Sequence, residues 1–195
     1  MSSYTKESIT SQQAYCLTFN VVDRIDIFVR PVFKQIIVES LNYFAAKKSL
    51  TIYGWCLMTN HLDILVKADD DFASLISEFK KFTAKIILAN IDTEPEIRRN
   101  WISKKVKETG QVWETEINPI HFDQENSDMI NEHLNLIHNN PVRNKIVSRA
   151  EDYVHSSARD YAGIKGLVNV CVQEEKFESK FILRHMSSYR IPKTN

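Results

Sequence analysis

Thr51-Ile52-Tyr53-Gly54-Trp55-Cys56-Leu57-Met58-Thr59-Asn60-His61-Leu62-Asp63-Ile64-Leu65-Val66-Lys67 reads as two buried strands joined by a tight turn at Thr59-Asn60. In the second strand, alternation sends His61, Asp63 and Leu65 to one face and Leu62, Ile64 and Val66 to the other. One face is therefore core. The other sets an imidazole beside a carboxylate and is a candidate site.

Outward from this hairpin the remaining elements fall into place. Upstream, Tyr15 to Val22 is rich in β-formers and nearly continuous in hydrophobicity, as expected of a central strand. Pro31 suits a first helical turn. Val32, Ile36, Ile37, Leu41 and Phe44 then recur at helical spacing up to Lys47. Downstream, the Asp69-Asp70-Asp71 run reads as the capped start of a second helix, Phe72 to Ile91, whose polar side carries Lys80, Lys81 and Lys85. Glu94 to Lys107 is a basic helical insert containing Arg98, Arg99, Lys104 and Lys105. A further strand is expected at Gln111 to Glu116. The order βαββαβ predicts an α+β, ferredoxin-like fold: an antiparallel sheet with two helices on one face, plus additional helices. The other face, where His61 and Asp63 point, is expected to be open. Asp128 to Asn139 is another helix, stopped by Asn139-Asn140-Pro141.

Composition narrows the class. The chain has 195 residues, 43% hydrophobic and 26% charged, with formal net charge +0. That suits one soluble domain, and any DNA affinity must come from local patches rather than a basic whole. Cys16, Cys56 and Cys171 form no C-x-x-C pair, and the first two sit in apolar runs. This fits a reducing compartment, so a cytoplasmic location is expected. No apolar run approaches the roughly 20 residues of a membrane helix. Residues 1–14 read as a flexible segment, 15–170 as the folded domain and 171–195 as a C-terminal extension.

The hairpin, with Trp55, Met58, Asn60 and His61 in place, resembles that of the single-tyrosine transposases of the HUH nuclease superfamily, in the branch associated with repeated extragenic palindromes. Asn139-Asn140-Pro141-Val142-Arg143, Ala150-Glu151-Asp152-Tyr153 and Ser156-Ser157-Ala158 extend the resemblance over roughly residues 15–170. It implies enzymes in which two strand histidines and a polar helix residue hold a divalent metal. A helix tyrosine there attacks single-stranded DNA and forms a phosphotyrosine intermediate.

Two of those positions differ here. The second histidine is Asp63. Alignment on Asn140-Pro141 puts Leu136 at the tyrosine, and leucine has no nucleophilic atom. His61, Asp63 and Asn140 remain a candidate set for weak Mg²⁺ or Mn²⁺ binding, since carboxylate and amide oxygens suit hard cations. The alternative is that they simply hydrogen-bond to each other or to a helix end. The expected function is binding of single-stranded or hairpin DNA by a transposase-like protein whose strand transfer is lost or impaired, as a monomer or homodimer. Candidate phosphate contacts are Lys80, Lys81, Lys85, Arg98, Arg99, Lys104, Lys105, Arg143 and Lys145, each alternatively a solvated surface charge. Two other readings stand beside it: a metal-dependent endonuclease using water, and a non-catalytic interaction protein without DNA. Trp55 and Trp113 are expected in the core, and so are Tyr153 and Tyr161.

Overall fold

The strand β1, Gln13–Asn20, is an inner strand of the sheet, paired along both edges. Tyr15, Leu17 and Phe19 enter one core, and Ala14 enters a second on the opposite side. The computed structural model describes residues 13–68, 71–91, 104–106, 108, 110–123 and 127–172. β2 (Leu50–Leu57) and β3 (His61–Ala68) form the expected hairpin. A short β4 (Ile120–Asp123) completes a four-stranded sheet in the order β2-β3-β1-β4, with all neighbours antiparallel.

The helices α1 (Pro31–Lys47) and α2 (Phe72–Asn90) cover one face. Their stripes, including Phe33, Ile37, Leu41 and Phe44 on α1 and Leu75, Phe79 and Ile87 on α2, pack with Leu62, Ile64 and Val66 of β3. Pro31 occupies the first turn of α1. Asp71 caps α2 by accepting from the Ser74 N–H at 3.3 Å, as the acidic run implied. Trp55 and Trp113 are both core residues. The Trp113 Nε1–H donates to Thr83 Oγ1 at 2.8 Å, so its one polar atom is satisfied.

Three features differ from the sequence expectation. Residues 111–116 are not a strand: Trp113 makes a single bridge to Val21, flanked by Val22 N–H to Val112 O (3.0 Å) and Glu114 N–H to Asn20 O (2.9 Å). Lys80 Nζ then binds the carbonyls of Glu114 and Thr115 (2.6 and 3.3 Å), which takes them out of any ladder. The edge strand forms later, at Ile120–Asp123. Second, β1 ends at Asn20 because Asp23 and Arg24 both adopt left-handed backbone (φ 53° each).

Third, the second face of the sheet is covered. α3 (Ser127–His138) lays Ile130, Leu134 and Ile137 against Tyr53, Cys56, Met58 and Leu65. The chain after α3 seals the outer edge of β2. Leu57 N–H donates to His155 O, Ser157 N–H to Trp55 O and Cys171 N–H to Ile52 O, at 2.8–3.0 Å. Tyr153 OH donates to Leu57 O and Tyr161 OH to Tyr53 O (2.8 and 2.9 Å), so both tyrosines are packing residues. An otherwise exposed strand edge is thereby protected.

Candidate functional site

β3 presents His61 and Asp63 on the α3 side of the sheet, as alternation required. The β1–β3 register sets Thr18 opposite Asp63 and Asn20 opposite His61. After α3 the chain makes a four-residue helix, α4 (Asn140–Arg143), with Pro141 in its first turn. This places Asn140 over the strand pair. Its Nδ2 donates to His61 Nε2 at 3.0 Å and to Asp63 Oδ2 at 2.8 Å. His61 Nε2 and Asp63 Oδ2 lie 3.6 Å apart. The three residues singled out as candidate ligands therefore do meet.

Neighbours fix their orientation. Asn60 Nδ2 donates to the Arg24 carbonyl at 3.2 Å, so its Oδ1 accepts from His61 Nδ1 at 2.7 Å. His61 therefore carries its proton on Nδ1 and turns the Nε2 lone pair inward. The Thr18 hydroxyl donates to Asp63 Oδ1 at 2.7 Å. Burial raises the Asp63 carboxyl, the hydrogen bonds it accepts from Thr18 and Asn140 lower it, and it lies below the usual carboxylate value. Asp63 is thus an anion. Burial and the Asp63 charge push the Cys16 thiol up to about 12 and also raise Cys56, so both are protonated thiols at neutral pH. Asn20 buries an Oδ1 with no hydrogen-bond partner among the described residues, which adds one more acceptor to this face.

Would Mg²⁺ or Mn²⁺ fit these residues? His61 Nε2 and the Asp63 carboxylate are two sound ligands. Asn140 turns its NH₂ toward them, while its Oδ1 accepts from Asn144 Nδ2 at 2.8 Å. A hard cation needs oxygen in that place. Hydrogen-bonded in this way, the three residues do not fit a cation site. Among the described residues, no group of three or more His, Cys, Asp and Glu could hold a metal ion.

Leu136 projects from α3 into solvent, 46% exposed, one turn before Asn140. It lines a groove with Asp128, Glu132, Asn135, Asn139 and Arg143. Arg143 Nη2 donates to the Leu136 carbonyl at 3.1 Å. The groove thus holds two carboxylates and one guanidinium around a side chain that can neither attack nor donate.

The candidate basic residues are dispersed. Arg143 and Lys145 are exposed on and just after α4, beside the site. Lys81 and Lys85 are exposed on α2, in the layer on the other side of the sheet. Lys80 is occupied by the Glu114 and Thr115 carbonyls. Lys104 pairs with Glu108 (3.8 Å) and Lys105 with Asp23 (3.4 Å). Arg98 and Arg99 lie outside the described residues.

Sequence reasoning missed Thr18 and Asn144 as supports and His138 as a buried group. His138 is 8% exposed, and its Nε2 lies 2.8 Å from Ser157 Oγ. Asn144 carried a signal in its i+4 spacing from Asn140 on a short helix. Thr18 carried one in the alternation of β1, once the register is known.

Known structures resemble this fold. The structure of a REP-associated tyrosine transposase bound to a REP hairpin matches with a TM-score of 0.59 and 19% identity, over 90% of this chain and 96% of that one. That similarity extends to the whole α+β arrangement of antiparallel sheet and helices. A crystal structure of a protein from Deinococcus radiodurans R1, provisionally assigned as a transposase, matches at TM-score 0.45 and 14% identity, over 71% of this chain and 98% of that one. No protein-family model matches the chain, and no curated protein does either.

Proposed function

We propose that this chain is a transposase-like DNA-binding protein that engages single-stranded or hairpin DNA and does not perform phosphotyrosine strand transfer. The observation that carries the reading is Leu136. It stands exposed one turn before Asn140, where an attacking group would have to be, and it has none. The Thr18 hydroxyl is spent on Asp63, and Tyr153 and Tyr161 are spent on β2 carbonyls. Binding needs less than cleavage does: placed cations and backbone donors suffice for phosphates. Arg143 and Lys145 supply such cations beside the site. Asp128 and Glu132 on α3 repel a phosphate backbone from the far side of the groove, which confines the contact to the α4 end. The neighbouring fold that was solved with a hairpin supports this choice of ligand.

The double substitution Arg143→Ala/Lys145→Ala tests it. If both side chains contact a single-stranded loop, the slope of log affinity against log salt should fall by about 1.4, and affinity at low salt should drop. Lys81→Ala/Lys85→Ala serves as the comparison. If that pair carries the loss and the α4 pair does not, DNA lies on the opposite layer and the reading of the site fails.

A further inference from the structure

The directions of the hydrogen bonds that run from Asn60 through His61 and from Asn144 through Asn140 are set by a backbone carbonyl at each end. At one end, the Arg24 carbonyl can only accept, and this fixes the Asn60 amide and the His61 tautomer. At the other, the Asn140 carbonyl can only accept, so Asn144 must point its Nδ2 there (2.9 Å). The same Nδ2 donates to Asn140 Oδ1 at 2.8 Å. Asn140 must then offer its NH₂ to the strand, where two acceptors wait, His61 Nε2 and Asp63 Oδ2 (3.0 and 2.8 Å). Side-chain amides are ordinarily ambiguous in orientation. This one is determined twice, from the strand side and from the helix side.

We propose that the Asn140 carboxamide stands, as an uncharged double donor, in the place between His61 and Asp63 that a divalent cation would take, and that Asn144 is the positioning residue that locks it there. The wild-type site is thereby closed to Mg²⁺ and Mn²⁺. Presenting Asn140 Oδ1 to a cation would turn its NH₂ onto the NH₂ of Asn144 and break the bonds on both sides. His61, Asp63 and the Asn20 Oδ1 beside them offer too few ligands to repay that. This inference concerns metal affinity and stands independently of whether the chain binds DNA.

The test is Mn²⁺ titration of the full chain, followed by electron paramagnetic resonance of free Mn²⁺. Wild type should show no saturable binding up to about 1 mM, the range of a very weak site. Asn144→Ala removes the lock, so affinity should rise about fivefold for each hydrogen bond no longer lost. Asn140→Asp replaces the donor with a third ligating group, so saturable binding should appear. Without metal this variant should melt lower than wild type, because two carboxylates face each other, and Mn²⁺ should restore it. Adding His61→Ala should abolish the gained binding. A purely structural role for Asn144 would move melting and leave Mn²⁺ affinity alone. Low-micromolar Mn²⁺ binding by wild type would overturn the proposal. So would unchanged affinity in both Asn variants, or gained binding that survives His61→Ala.

Discussion

Lowering the pH from about 6.5 to about 4 is expected to remove about 3 kcal/mol of stability through His138 alone. Burial drives its imidazole down from 6.5 to about 4. The ring is enclosed by α3, Tyr161 (centroids 5.0 Å apart) and the Ser157 hydroxyl, with Gly54 of β2 close by. The sign follows from proton counting. Between these two values the unfolded chain holds a proton on this ring and the folded chain does not. Stability from the neutral ring is therefore full above about 6.5 and is lost as the pH falls toward 4. His155, also lowered by burial and by the nearby Lys34 charge, adds to the slope in the same direction. Asp63, held below its ordinary value, contributes only at still lower pH. Urea unfolding midpoints at pH 7, 5.5 and 4.5 check this. In His138→Gln most of the slope should vanish. An equal slope in wild type and variant would assign the acid sensitivity to another group.

The second large effect belongs to Gly54. Its backbone angle is unexceptional, so the reason for glycine is space. A Cβ there would run into Leu134 Cδ2 and approach Ser157 Oγ and His138 Nε2 at 3.6 and 3.8 Å. β2 and α3 touch at this point, and their closeness lets the second core form. Gly54→Ala forces Leu134 off its packing, with an expected cost of about 1–3 kcal/mol. Leu134→Ala alone leaves a cavity, with an expected cost of about 2–5 kcal/mol. Because the added methyl occupies space that the truncation vacates, the double variant should cost clearly less than the sum, a coupling of about 1 kcal/mol or more. Chemical denaturation of the four proteins measures it. Strict additivity would mean that the two residues do not share the contact.

The readable parts of the sequence were those set by period. β3 alternates cleanly, so the pairing of His61 with Asp63 on one face and the apolar triplet on the other followed directly. The stripes of α1 and α2 gave the first layer in the same way. The docking of α3 was not readable. Its stripe of Ile130, Leu134 and Ile137 announces a helix, but the surface that receives it depends on the missing Cβ of Gly54 and on Ser157. Ser157 accepts from Trp55 N–H at 2.9 Å and is 102 residues away in sequence. The strand expected at Gln111 to Glu116 rested on the likeness of Gln111-Val112-Trp113 to a strand of the resembled family, and the chain instead makes a single bridge at Trp113 with Lys80 holding two of the following carbonyls. A lysine on the polar side of a helix looks like a solvent-facing charge until the loop beneath it is placed. The Asn140 position was legible, whereas the direction of its amide was not, because Asn144 and a backbone carbonyl set it.

The measurement that bears most directly on the account is fluorescence anisotropy with a labelled single-stranded DNA hairpin and a matched duplex, each titrated at two salt concentrations. The account predicts saturable hairpin binding that is tighter than duplex binding and weakens as salt rises. Failure to bind either DNA at low salt, or equal affinity for hairpin and duplex, would contradict it.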